Sequence, residues 1–368
     1  MAYKVIYIDD ENEDRSQAYA DGLSTLGLIE ISIKKPTSFE TLRDELIHEQ
    51  SNIDALILDL RLDGNQQGER VAKYTAPILA TGIRSHFLIE DGFKKEFPIF
   101  LISSKDNLIK YFDSDTSSHD LFDYTFTKAT VGSEGTNYEK LIASITEAYK
   151  LIGEGKTDFA KMLDYPSVKD IENRIFTSKF LTGEGTSVSE ISQYIFNEII
   201  RKSGILIDEK ILAARLGINV EKSEDWNKIL GYLKDYKYSG VFCNVFERWW
   251  FNGIMDWWSK NFPNILLIRL NAENRVQLIK EKFKLKEIQV AEPIAKTTST
   301  KFWTVCQAYL KPLDPKDGFL VDGNQLKPWQ DKIYISLESI LERDAKEKGL
   351  VIHPEEKERF EEIKQEYL

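Results

Sequence analysis

The chain has 368 residues, 42% of them hydrophobic, and a formal net charge of −11. That length and apolar content point to two domains with buried cores, and no run of 18 apolar residues occurs to make a spanning helix. The charge speaks against a strongly basic nucleic-acid binder: residues 1–150 hold 16 Lys+Arg against 26 Asp+Glu, and the rest of the chain holds 33 against 34.

The opening MAYKVIYIDDENED reaches carboxylates before the apolar stretch of a signal peptide could finish, so a cytoplasmic location is expected. Cys243 and Cys306 are far apart and read as buried free thiols. His48, His86, His119 and His353 form no pair at metal-ligand spacing, so no zinc or iron site is expected. All seven tryptophans lie between Trp226 and Trp329, which sets the second half apart from the acidic first half.

In chain order, Tyr3 to Ile8 (YKVIYI) reads as a buried strand and Ser16 to Leu26 as a helix. Ile29 to Ile33 is a second strand and Phe39 to Glu49 a second helix. Ala55 to Leu58, Pro98 to Ile102 and Tyr124 to Thr127 are further strands, and Tyr138 to Ile152 closes the unit as an amphipathic helix. Apolar strands alternating with helices imply an α/β fold, a five-stranded doubly wound parallel sheet covered on both faces. In such sheets ligands sit at the carboxyl ends of the strands. Asp9 and Asp10 follow the first strand, Asp59 ends the third, Ser103 and Ser104 end the fourth, and Lys128 ends the fifth.

Four segments in this order resemble the receiver domains of two-component response regulators: YIDDE, LILDLRLDG, PIFLISS and FTK. The resemblance covers about residues 1–153. It implies a flavodoxin-like receiver in which Asp59 accepts a phosphoryl group from a sensor histidine kinase or phosphotransfer protein. It also implies Mg²⁺ held by Asp10, Asp59 and the backbone carbonyl of Arg61, with Asp9 acting through water. Ser103 and Lys128 then contact the phosphoryl oxygens. Three converging carboxylates would repel strongly without a cation, which suits a metal site. The chain departs from the pattern in places. Ala129 stands where the family has proline, and Asp63 stands where a proline is common. Thr125 replaces the usual aromatic three positions before the lysine, between Tyr124 and Phe126. Thr81 to Glu96 reads as an inserted loop or short helix that offers a partner surface. A degenerate receiver, keeping the fold without being phosphorylated, is the alternative for this half.

Residues 154–188 read as a linker, with Val168 to Phe180 a connecting helix and TGEGTS (Thr182 to Ser187) flexible. Residues 189–368 read as a mixed α/β, largely helical output domain in which no family is recognised. Ser189 to Lys202 has helical spacing, with a capping box from Ser187 and Glu190. Glu209 to Ile218, followed by a helix from Glu224 to Tyr236, resembles a helix-turn-helix. Its second helix opens on Glu224 and Asp225, which disfavours DNA. ERWWFNGIMDWW (Glu247 to Trp258) places Trp250, Ile254, Trp257 and Trp258 on one helical face. A core stripe, a partner surface and a base-stacking platform are its three readings. Ile265 to Leu270 reads as a strand, Ala272 to Phe283 as a helix, and Glu287 to Val290 as a further strand. Ser336 to Leu368 reads as two charged helices interrupted at Gly349 to Pro354. With no Gly-rich phosphate loop, nucleophile elbow or metal triad in this half, output is expected through an unidentified downstream protein partner, with a DNA-binding regulator using residues 209–236 as the alternative and an enzymatic output weaker still; no membrane partner is expected.

Overall fold

The computed structural model describes the chain except residues 1, 65–73, 88, 90–91, 113–119, 156–157, 166–174, 176–185, 324–325 and 368. It divides into two units. One is Met1–Val168 with Phe176–Phe196 and Gly240–Val245, and the other is Lys169–Ile175 with Asn197–Ser239 and Phe246–Leu368. The connecting helix expected over Val168 to Phe180 lies outside the described residues apart from Ile175.

The first unit is built on five strands: β1 (Tyr3–Ile8), β2 (Ile29–Lys34), β3 (Ala55–Asp59), β4 (Ile99–Ser103) and β5 (Tyr124–Thr127). Every residue of β3 and β4 is buried, as their unbroken apolar runs require. The ladder is parallel throughout in the order β2-β1-β3-β4-β5, the flavodoxin-like order. One sheet face carries Ile6, Ile8, Leu56, Leu58, Ile99 and Leu101 into a core with α2 (Phe39–His48) and α3 (Ala76–His86). The other is covered by α1 (Glu13–Leu23) and α5 (Val131–Glu154), with α4 (Lys105–Tyr111) following β4. Helices α1 and α5 cross closely: a Cβ on Gly135 would lie 2.1 Å from the carbonyl oxygen of Gly22. The fully buried Glu139 of α5 accepts from the amides of Leu26 (2.6 Å) and Leu28 (2.7 Å), which fixes the turn between α1 and β2.

The segment Thr81 to Glu96 differs from the expected insert. Thr81 to His86 is the second half of α3. Beyond it, where residues 88, 90 and 91 lie outside the described residues, Phe87, Phe93 and Phe97 pack edge to face with centroids 5.1 to 5.3 Å apart, and Phe93 and Phe97 are buried in the core. After α6 (Phe159–Leu163), α7 (Val188–Tyr194) carries the expected capping box of Ser187 and Glu190 and packs on α5. It runs on as a π-helical turn over Ile195–Ile200. Glu96 adds a second cap, accepting from the amides of Val188 (2.8 Å) and Ser189 (3.1 Å).

The second unit is mixed, with helices and small two-stranded sheets. Its centre is α8 (Glu209–Leu216), in which Ile211 through Leu216 are all buried. Gly217 ends the helix with φ 76, and a Cβ there would stand 2.7 Å from Ala272 Cα. β7 (Ile218–Asn219) follows at once and pairs with β9 (Gln289–Val290). Only then comes α9 (Trp226–Tyr232), shorter than the helix expected over Glu224 to Tyr236. Asp225 accepts from the amides of Lys286 and Glu287, and Trp226 Nε1 donates to Glu209 Oε1 at 2.6 Å. The start of α9 is therefore tied into the unit rather than presented to a groove.

The tryptophans of Glu247 to Trp258 are core. Trp249 and Trp250 form β8 against β6 (Leu206–Ile207), and α10 (Phe251–Asn261) begins only after them. Trp249, Trp250, Trp257 and Trp258 are each at most 6% exposed, so the partner-surface and stacking-platform readings fall away. Ile265 to Leu270 is not a strand. Leu267–Arg269 is a 3₁₀ turn with Leu267 buried and Leu266 and Ile268 more than half exposed, and the Asn271 side chain then caps α11 (Ala272–Phe283). β10 (Thr304–Val305) pairs with β11 (Pro312–Leu313), and β12 (Gly318–Leu320) with β13 (Tyr334–Ser336). The end holds three helices rather than two: α12 (Leu337–Leu341), α13 (Asp344–Glu347) and α14 (Lys357–Tyr367). No helix among the described residues is long and apolar enough to cross a membrane.

Candidate functional site

Because β1, β3, β4 and β5 run parallel, their carboxyl ends lie on one edge of the sheet, and the chain places a chemically active residue at each. Asp9, Asp10 and Asp59 come together there, with one carboxylate oxygen from each within 4.8 Å of the others. Lys128, at the end of β5, reaches into the same cluster. Its Nζ lies 3.1 Å from Asp59 Oδ1, 3.0 Å from Glu11 Oε1 and 3.5 Å from Asp9 Oδ2. It also sits over the Tyr19 ring, 5.1 Å from the centroid. Asp9, Asp59 and Lys128 are buried and Asp10 is half-buried.

Asp10 is held by the segment after β3: Gly64 N donates to Asp10 Oδ2 at 2.7 Å. A Cβ on Gly64 would stand 2.5 Å from the same oxygen, so a larger residue there would push the Asp10 carboxylate aside. Ser103 is fully buried at the last position of β4, where its neighbour Ile102 pairs with Asp59. Its hydroxyl has no hydrogen-bond partner among the described residues. Such an orphan is costly unless something else occupies the site. Arg61 lies two residues past Asp59, and its guanidinium pairs with Asp63 at 3.0 Å. Thr125 is half-buried on β5, and its neighbours Tyr124 and Phe126 pack at 5.1 Å.

Sequence reasoning missed Tyr7, Ser16 and Lys35, and gave no role to Glu11, whose carboxylate pairs with Lys128. Tyr7 donates to Asp9 Oδ2 at 2.5 Å, Ser16 donates to the same oxygen at 3.1 Å, and Lys35 Nζ donates to the carbonyls of Asp9 and Glu11. Lys35 follows a strand end as Lys128 does, which is a readable signal. Tyr7 reads only as a core strand residue.

The charges do not balance. Burial raises Asp59 to about 7; the Lys128 ammonium pulls it down, and the Asp9 and Asp10 carboxylates push it up again. Burial also raises Asp10, against the Gly64 hydrogen bond. Lys128 is lowered by burial but more strongly raised by Asp59 and Asp9, so it stays charged. An all-oxygen set with surplus negative charge and an orphan hydroxyl beside it fits a hard divalent cation.

The Asp59 shift carries a stability consequence. Its folded pKa of about 7 stands above the ordinary 3.8. Between those values the folded state holds more protons than the unfolded chain, so stability falls as pH rises through that window and the loss is complete above it. Asp59→Asn removes the loss. In metal-free buffer at pH 8 the variant should therefore unfold at a higher temperature than wild type, with the gap closing toward pH 4. Equal midpoints at pH 8 would show that Asp59 ionises without penalty.

No protein-family model matches the chain, and no curated protein matches it. Among solved structures it is similar to the signal receiver domain of NarL from Mycobacterium tuberculosis, with 16% identity, 40% of this chain and 97% of that chain covered, and a TM-score of 0.28. It is also similar to the RcsB response regulator of Salmonella typhimurium, with 17% identity, 53% and 98% covered, and a TM-score of 0.26.

Proposed function

We propose that the chain is an atypical response regulator whose residue Asp59 accepts a phosphoryl group. The supporting observation is the convergence of Asp9, Asp10, Asp59 and Lys128 at the carboxyl edge of a parallel sheet in flavodoxin-like order. In this reading residues 1–153 are the receiver, 154–188 the connection and 189–368 the output domain.

An Asp59 oxygen forms the new O–P bond as the bond from phosphorus to the donor's histidine nitrogen breaks. Ser103 donates its free hydroxyl to one phosphoryl oxygen and the Lys128 ammonium pairs with another. Magnesium would be held by Asp10, Asp59 and the carbonyl of Arg61; the receiver resemblance adds Asp9 through water. When bound, the ion neutralises the repulsion between carboxylate and phosphoryl oxygens. The donor is a sensor histidine kinase or phosphotransfer protein. Output passes to a protein partner, which agrees with the near-neutral charge of residues 151–368 and the tethered start of α9. Incubation with acetyl phosphate and Mg²⁺, followed by mapping of the acyl phosphate, tests the reading. Absence of label from both acetyl phosphate and the kinases of the native host would leave a receiver fold without receiver chemistry.

A further inference from the structure

Asp9 differs from its two neighbours in how fully the protein already occupies it. An ionised carboxylate has about four acceptor positions. Asp9 meets four donors: Tyr7 Oη at 2.5 Å, Ser16 Oγ at 3.1 Å and Lys128 Nζ at 3.5 Å on Oδ2, and the Glu11 amide at 3.0 Å on Oδ1. Its side chain is fully buried, and Lys35 pins the carbonyls on either side of Asp10. Among the described residues, Asp10 by contrast accepts one hydrogen bond, from Gly64, and Asp59 meets only Lys128. Oδ2, with three protein donors on it, has little left to give a cation or the water that bridges to one.

We propose that Tyr7 is a positioning residue of this site. Its hydroxyl, helped by Ser16, holds Asp9 as a protein-side anchor for Lys128 and keeps it out of cation binding, which is left to Asp10 and Asp59. The inference rests on the site being a divalent-cation site, and it revises the part that the receiver resemblance gives Asp9. It follows from this chain's own tyrosine: Tyr7 lies in β1 two residues before Asp9, so both side chains fall on the same side of the strand, and Ser16 reaches the same oxygen from α1.

Phe in place of Tyr7 keeps the buried ring and removes only the donor. Asp9 Oδ2 then loses its shortest donor and is held only by Ser16 and the longer Lys128 contact, so it can turn to the cation as a third carboxylate. The test is a Mn²⁺ titration followed by electron paramagnetic resonance, repeated with Mg²⁺ by NMR shifts, on the full chain as wild type, Tyr7→Phe, Ser16→Ala and Asp10→Asn. Tyr7→Phe should bind at least about threefold more tightly than wild type, since hydrogen bonds to charged groups are among the stronger ones. Ser16→Ala should move the same way by less, and Asp10→Asn should lose most of the binding. A merely structural role for Tyr7 would lower the melting temperature without tightening the cation. Folded Tyr7→Phe with unchanged or weaker affinity, while Asp10→Asn still abolishes binding, overturns the inference and leaves the proposed function standing. Wild type that binds no cation at millimolar concentration, or Asp10→Asn that binds as wild type does, overturns both.

Discussion

Asp59→Asn should accept no phosphoryl group from acetyl phosphate or a kinase under conditions where wild type is labelled, while keeping the fold. The amide oxygen is a far poorer nucleophile than a carboxylate, and no neighbour can take over the role. Asp9 Oδ2 is taken by Tyr7, Ser16 and Lys128, and its Oδ1 accepts from Glu11 N. Asp10 is tethered by Gly64 N. Asp59 is also the carboxylate whose strand position adjoins β4, next to the free hydroxyl of Ser103. The substitution removes a charge that is costly at neutral pH, so loss of label cannot be blamed on unfolding if the variant melts at or above the wild-type temperature. Quantitative labelling with intact-mass detection decides the matter. Label on Asp59→Asn equal to wild type, or mapped to Asp10, would sink the assignment.

The parallel sheet was legible because a strand buried on both faces is apolar along its length, and β3 and β4 are apolar up to their last residues, Asp59 and Ser103. The site was legible because a parallel sheet collects its strand ends on one edge. Tyr7 was not, because a tyrosine in an apolar run reads as core until its hydroxyl is seen on Asp9. The second unit was harder for a physical reason. Its strands are two or three residues long, too short for alternation to show, so Trp249 and Trp250 looked like the first turn of the helix they precede. Ile265 to Leu270 failed in the opposite sense: its apolar run has no partner strand, and Leu266 and Ile268 face solvent. Thr81 to His86, expected within an inserted loop or short helix, belongs to α3 although Thr81, Gly82 and Ser85 weaken the local pattern, because the burial of Leu79, Ala80 and Ile83 holds the helix in place.

The largest stability effect should come from the opposite end of the same sheet. Asp123, just before β5, is 8% exposed and takes three donors: Arg84 Nη2 at 2.8 Å and the Ile99 amide at 2.8 Å on Oδ2, and Tyr149 Oη at 2.6 Å on Oδ1. The Arg84 guanidinium also donates to the carbonyls of Phe97 and Leu121, so this group ties α3 and α5 to the starts of β4 and β5. Burial pulls Arg84 down, but Tyr149 and Asp123 hold it above its ordinary range, and burial raises Tyr149. Asp123→Ala leaves a buried guanidinium with no counter-charge and two donors unsatisfied. A cost of about 3–5 kcal/mol is expected. Arg84→Met together with Asp123→Ala removes the stranded charge, so the double variant should be more stable than Asp123→Ala alone. Tryptophan fluorescence would miss this, since every tryptophan lies beyond residue 225. Hydrogen exchange at the Ile99 amide and across β3 and β4, followed against urea, reports on the right unit. A loss below about 1 kcal/mol for Asp123→Ala, or a double variant that simply adds the two single costs, would show that solvent reaches Arg84 and that the network is not the lock described.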